Sequence, residues 1–173
     1  MGKYPGGTSV RITPTISGTA YSGGDVLFLT TEIPGAVSNR GGVSRLIAVT
    51  IINQTDENDD DIELVFMKNQ VNLISALSPG SSGGPTITDA NVEAAEILAN
   101  VKLDTSDNKL DIGGARVSTH GYSYAAAHST VLPVVLQAAA GSTSVYVAGI
   151  AIDAADYGAA DDLDLVFHIE FLD

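Results

Sequence analysis

The chain has 173 residues, with 8 Lys and Arg against 21 Asp and Glu, for a formal net charge of −13. That length suits one domain with a sizeable core. The acidity speaks against nucleic acid and anionic membranes as partners, because their phosphates must be met by Lys and Arg. With no Cys, disulfides, zinc fingers, iron–sulfur clusters and a cysteine nucleophile are excluded.

Val, Ile and Thr are abundant, Gly is frequent and Trp is absent, which favours strands over helices. The opening MGKYPGGTSV lacks the apolar stretch of an export signal, and no run approaches the ~18 apolar residues of a spanning helix. Gly2 invites a myristoylation reading, but Gly6 stands where that signal needs Ser or Thr. A soluble protein is expected, with residues 1–9 as a flexible arm ahead of a single domain over 10–173.

In chain order, strands are expected at Ser9–Ile16, Asp25–Leu29, Val43–Ile52, Ile62–Met67, Asp111–Ser118, Val131–Leu136, Val145–Ile152 and Leu163–Phe171. The last is the clearest. Leu163, Leu165, Phe167, Ile169 and Phe171 alternate with Asp164, Val166, His168 and Glu170, the period-two signature of one buried and one wetter face. Val43–Ile52 and Val145–Ile152 are apolar on both faces, as in central strands covered on both sides. Pro14 and Pro133 push their strands toward edges, since proline cannot donate to a ladder. One helix is expected over Ala90–Val101, capped by Thr88 or Asp89, with Ala94, Ile97, Leu98 and Val101 on one stripe. It would plug one end of the fold.

The joints are rich in Gly and Ser, as at Ser17–Gly24, Ser38–Gly42, Ser78–Pro85 and Ala138–Ser144, and carry ordinary turn chemistry. About eight strands with one short helix point to an all-β antiparallel β-sandwich, and within that class to a jelly roll. A closed barrel is the competing architecture.

Motifs that could carry chemistry are few. Gly80-Ser81-Ser82-Gly83-Gly84-Pro85 is similar to the segment around the serine of trypsin-like proteases. In that family the histidine and aspartate precede the serine, whereas His120, His128 and His168 all follow Ser82. A turn is the better reading. Asp56, Asn58 and Asp60 have the first spacings of a calcium loop, but Asp61 stands where Gly is needed and Met67 where a bidentate Glu is needed. This acidic run is expected at a solvated hairpin tip.

His120 and His128 flank Tyr122 and Tyr124 without a third ligand at a metal-binding spacing, so His120, Tyr122 and Tyr124 are candidates for contact between copies. His168 is expected on a surface or at a subunit interface. Asp153, Asp156, Asp161, Asp162 and Asp164 match paired catalytic carboxylates only in number, since sugar-cleaving clefts usually add aromatic platforms and Trp is missing. No Lys or Arg follows Arg116, while seven acids do, which marks an acidic region that aids solubility when copies sit side by side. No catalytic residue, metal site or cofactor is assigned, and the chain is not read as an enzyme.

The segments TPTISGTAYSGGDVL, GGVSRLIAVTI, DIELVFM, ITDANVEAAEILANVKL and GSTSVYVAGIAIDAADYGAADDLDLVFHIEFLD together resemble small structural proteins of tailed-bacteriophage virions. Gln54–Asp61 and Ser78–Pro85 depart from that pattern, being longer or more acidic. The resemblance implies a capsid decoration, or cement, protein. It would be a homotrimer on the outside of the major capsid protein shell, assembled in the host cytoplasm. Within that reading, Lys3, Tyr4 and Arg11, basic and aromatic groups near the start of an acidic chain, are candidate shell contacts. The alternative is a lectin-like or receptor-binding module of the tail or fibre, favoured weakly by the Tyr122 and Tyr124 loop and opposed by the missing Trp.

Overall fold

The computed structural model describes residues 6–55, 61–73, 79, 88–104, 109–121 and 132–172. Among them are ten strands and one helix, in the order β1 (Gly7–Ile12), β2 (Val26–Ile33), β3 (Val43–Asn53), β4 (Ile62–Met67), α1 (Asp89–Ala95), β5 (Ile97–Leu103), β6 (Lys109–Asp111), β7 (Arg116–Gly121), β8 (Val134–Gln137), β9 (Val145–Ala151) and β10 (Leu163–Phe171).

The strands form two antiparallel sheets. A six-stranded sheet runs β1-β10-β3-β7-β6, with β8 also paired to β3, and a four-stranded sheet runs β2-β9-β4-β5. Consecutive strands therefore mostly sit in opposite sheets, and neighbours such as β1 and β10 come from opposite ends of the chain. Removing the additions β6 and β8 leaves β1-β10-β3-β7 against β2-β9-β4-β5, the strand order of a jelly roll. The expected fold class holds, with ten strands in place of about eight.

Alternation explains which side of each strand faces inward. Leu163, Leu165, Phe167 and Ile169 of β10 are buried, and so are Ile62, Leu64 and Phe66 of β4. Both sets join one large cluster between the sheets. Phe66 and Phe167 meet edge to face there, 5.8 Å apart at 82°. At one end Tyr21 and Tyr157 make a second such contact, also 5.8 Å apart, and seal the core beneath two loops. The Tyr21 hydroxyl donates to the Leu27 carbonyl (3.1 Å) and accepts the Ser17 N–H. Burial pushes its pKa above the ordinary phenol value.

The outer faces of the two sheets differ. That of the four-stranded sheet carries a second apolar cluster of Val26, Val65, Met67 and Ala148, covered by Leu73 and by Ala95 of α1. The helix thus lies over a sheet face and does not plug an end. On the six-stranded sheet, Arg45 and Ile47 of β3 are exposed, so the expectation that β3 is covered on both sides is corrected. It is central in strand order, pairing β10, β7 and β8, but open on its outer face.

Other expectations shift for identifiable reasons. The helix over Ala90–Val101 stops at Ala95. Thr88 caps it by accepting the Asn91 N–H, and Glu96 then takes a left-handed conformation at φ 49. Residues 97–103 instead pair with β4, which puts Val101 and Leu103 into the core. Their apolar spacing fits a helical stripe and a strand face alike, and the available sheet edge decides between them.

Asp111–Ser118 is two strands, β6 and β7, folded back at Gly113 and Gly114, whose positive φ values of 72 and 125 suit only glycine well. The acidic run does not tip a hairpin. It joins β3 of one sheet to β4 of the other, and of its residues 56–61 only Asp61 lies within the described set. The first strand starts at Gly7, paired with Glu170, so the domain begins ahead of the expected boundary at residue 10. β1 lies at a sheet edge and β8 pairs β3 alone, but Pro14 and Pro133 fall just outside these strands.

Close packing of neighbouring strands within the four-stranded sheet gives a stability test. A Cβ at Gly149 would lie 2.2 Å from a ring carbon of Phe28. Gly149→Ala should cost about 1–3 kcal/mol through overpacking. Gly141→Ala, with nothing within 4 Å of the added carbon, should change stability by less than about 0.5 kcal/mol. Urea unfolding of the two variants checks the contrast.

Candidate functional site: an open sheet face and an acidic end

Strand pairing sets the outer face of the six-stranded sheet in rows. His168 of β10 lies between Ser9 of β1 and Ala48 of β3, and Thr50 of β3 lies between Val166 and Thr119 of β7. These positions put a chain of polar side chains across four strands. Ser9 Oγ is 3.1 Å from His168 Nδ1, His168 Nε2 is 3.0 Å from Thr50 Oγ1, and Thr50 Oγ1 is 2.9 Å from Thr119 Oγ1. A serine beside a histidine invites a nucleophile reading. Such a pair needs a carboxylate on the far ring nitrogen to orient the base, and here that nitrogen meets the Thr50 hydroxyl. The geometry fastens strands.

Asp164 anchors the next row. Its side chain is 1% exposed, although it starts on the outer face. The carboxylate accepts from the Arg11 guanidinium, the Thr13 hydroxyl and the Gln54 amide. Burial alone would raise its pKa, but these hydrogen bonds and the Arg11 charge outweigh burial and hold it below the usual carboxylate value. Arg45 and Glu170 form a looser pair at 3.4 Å.

Of the candidate shell contacts, Lys3 and Tyr4 lie outside the described residues. Arg11 sits in β1 with its side chain 60% exposed and its guanidinium engaged with Asp164. Its place is on the side of the sandwich, not in an arm. Of the candidate contacts between copies, Tyr122 and Tyr124 lie outside the described residues. His120 is corrected: its register opposite Val49 turns it inward, where it is buried with Nε2 3.0 Å from Ser118 Oγ. It offers little surface to another copy. Ser82 and His128 also lie outside the described residues.

Alternation within β10 identifies His168 as outward-facing, but no sequence signal names Ser9, Thr50 and Thr119 as its partners. They come from strands far apart in the chain, and only the strand order unites them.

A second feature is the distribution of charge. The connections 13–25, 54–61, 104–108 and 152–162 all leave strands at the same end of the sandwich. In sequence they hold one, five, two and four acids respectively, twelve of the chain's 21, and no Lys or Arg. Backbone hydrogen bonds knit three of these connections together, from Ile16 to Ala160, from Gln54 to Asp162 and from Ile152 to Asp61. Lys102, at the end of β5, pairs with Asp61 at 2.9 Å. That hydrogen bond, with the charges of Asp61, Asp153 and Asp104, raises its pKa. The opposite end carries the start of β1 and far fewer acids. Among the described residues, no group of three or more acidic or histidine side chains is arranged to hold a metal ion.

No protein-family model matches this sequence, and no curated protein is significantly similar to it.

The Asp164 cluster sets a pH dependence. The folded carboxylate has a lower pKa than the unfolded one, about 3.9, so its contribution is complete above that value. It is lost as pH falls through the lower folded pKa. Asp164→Asn should lower stability at pH 7 by about 1.5 kcal/mol, the low end for hydrogen bonds to a charged group because Arg11 is largely solvated. The variant should also show a flatter stability profile between about pH 2 and 5. Urea midpoints across that range measure both effects.

Proposed function

We propose that this protein is a structural component of a tailed-bacteriophage virion, a decoration or cement protein. It binds the outside of the major capsid protein shell as a homotrimer and stabilises it. The observation that carries the reading is the polarity of the sandwich, with twelve acids in the connections of one end and the start of β1 at the other. A protein packed in many copies on a particle gains from a solvated, mutually repelling pole and a partner pole of low charge. β1 starts at that second pole, and Lys3 and Tyr4, which precede it in sequence, are the proposed shell contacts.

The polar groups fit the same reading. His168 bridges two hydroxyls, and Asp164 is satisfied by Arg11, Thr13 and Gln54, so the most conspicuous polar clusters serve cohesion of the sheet. In this role stabilisation comes from contact area across seams between shell proteins. A standard interface buries ~1,600 Å² in total, and linked copies convert weak single contacts into strong retention. Assembly in the host cytoplasm is compatible with a chain that needs no disulfide.

The test is co-sedimentation of the purified chain with undecorated shells. Saturable binding in many copies per particle, and a higher temperature of shell disruption, are expected. Deletion of residues 1–6, which leaves β1 intact, should weaken binding at least tenfold. Absence of binding to shells, with calcium-dependent binding on a glycan array, would replace this reading with the lectin-like one.

A further inference from the structure

The first strand is lightly anchored in a fold that is otherwise tightly packed. β1 lies at an edge of its sheet and pairs β10 alone. Only its last residue, Ile12, is buried, and Val10 is partly packed against the core, whereas β4 buries every residue except Glu63. The chain that follows is fixed. Ile12, Pro14 and Ile16 are all buried, and the Ile16 N–H donates to the Ala160 carbonyl (3.1 Å). Residues 6–11 therefore form a short unit that can open while the core between the sheets stays closed, because local opening is easiest where few apolar groups are buried.

On the outer face, two side-chain ties hold this unit to β10, from Arg11 to Asp164 and from Ser9 to His168. Opening strands neither charge of the first tie. The Arg11 side chain is already 60% exposed. Asp164 keeps the Thr13 hydroxyl and the Gln54 amide, which lie outside residues 6–11, and water would reach it on the side that Arg11 leaves. An ion pair deep in a core resists separation because a dry, unpaired charge remains. This pair, covered by a single edge strand, escapes that penalty.

We propose that residues 6–11 are a releasable arm, latched by the Arg11–Asp164 pair, and that its opening carries Arg11 to the shell. The target rests on the shell reading above, and the release does not. Once open, the segment adds at most ~20 Å to the reach of Lys3 and Tyr4. It also frees one of the chain's 8 Lys and Arg side chains for a partner.

Amide hydrogen exchange of the full chain at pH 7 tests release without shells. In wild type, the β1 amides bonded to β10 should exchange at least about tenfold faster than those of β3 and β4, at a rate that low urea leaves unchanged. Gly149→Ala, which loosens the body of the sandwich, should speed exchange in β4 and β9 but not in β1. Arg11→Ala should speed it in β1 by about fivefold. The double variant Ser9→Cys/His168→Cys adds a reversible staple, since the chain has no other Cys. Residues directly opposite on antiparallel strands stand ~4.5–5.5 Å apart, within the span of a disulfide. Its oxidised form should protect β1 from exchange and bind undecorated shells at least tenfold more weakly than its reduced form. Exchange of β1 only together with the body, or β1 exchange unaffected by Arg11→Ala, would overturn the release. Equal shell binding by the oxidised and reduced forms would overturn the arm's role at the shell. Failure of both forms to bind would remove the shell reading and the arm's target with it, while exchange still decides the release.

Discussion

Phe66 of the four-stranded sheet and Phe167 of the six-stranded sheet meet edge to face in the layer between the sheets, and both are fully buried. Each buried ring contributes about 1.5–3 kcal/mol from removal of apolar surface, and the ring pair adds about 0.5–1.5 kcal/mol. Around this contact the inward positions of β3, β4, β9 and β10 are apolar or small up to Asn53 at the end of β3, and a slip of one residue would turn the whole set to solvent. The constraint leaves the outward positions free to vary. It is there that the two sheets diverge, one covered by residues 68–73 and α1, the other open.

The acidic connections follow from the same architecture. A jelly roll sends the loops 13–25, 54–61, 104–108 and 152–162 out of one end. Acids scattered through the sequence are thereby gathered into one pole. Charge that would destabilise the compact core at inward strand positions is carried in sequence by the connections, and Lys102 partly offsets it through Asp61. Asp164 is a buried acid on a strand, and it persists there because Arg11, Thr13 and Gln54 complete its hydrogen bonds.

Much of the fold is legible in the alternation of β10 and β4, where period two is unambiguous. Residues 97–101 read as helix because Ile97, Leu98 and Val101 share a helical stripe with Ala94, and the pairing with β4 that settles the matter is set by tertiary contacts. The connection of β3 to β4 reads as a hairpin since the two runs are adjacent in sequence. Strand order, which sends them to different sheets, leaves no local trace. His120 shows the same limit. Its neighbours in sequence are Gly and Tyr, but its inward direction is fixed by register with Val49. His168 is legible as outward because its own strand supplies the alternation, while its hydroxyl partners arrive from β1 and β3.

The central claim is that the molecule acts by presenting surfaces, with an acidic pole directed to solvent and the opposite pole directed to a protein shell. A density map of decorated particles at side-chain resolution tests it most directly. The account predicts many copies over the shell, with the connections 54–61 and 152–162 pointing outward and Gly7 of β1 close to the capsid surface. Acidic connections seated against the shell, or a few copies confined to the tail, would contradict it.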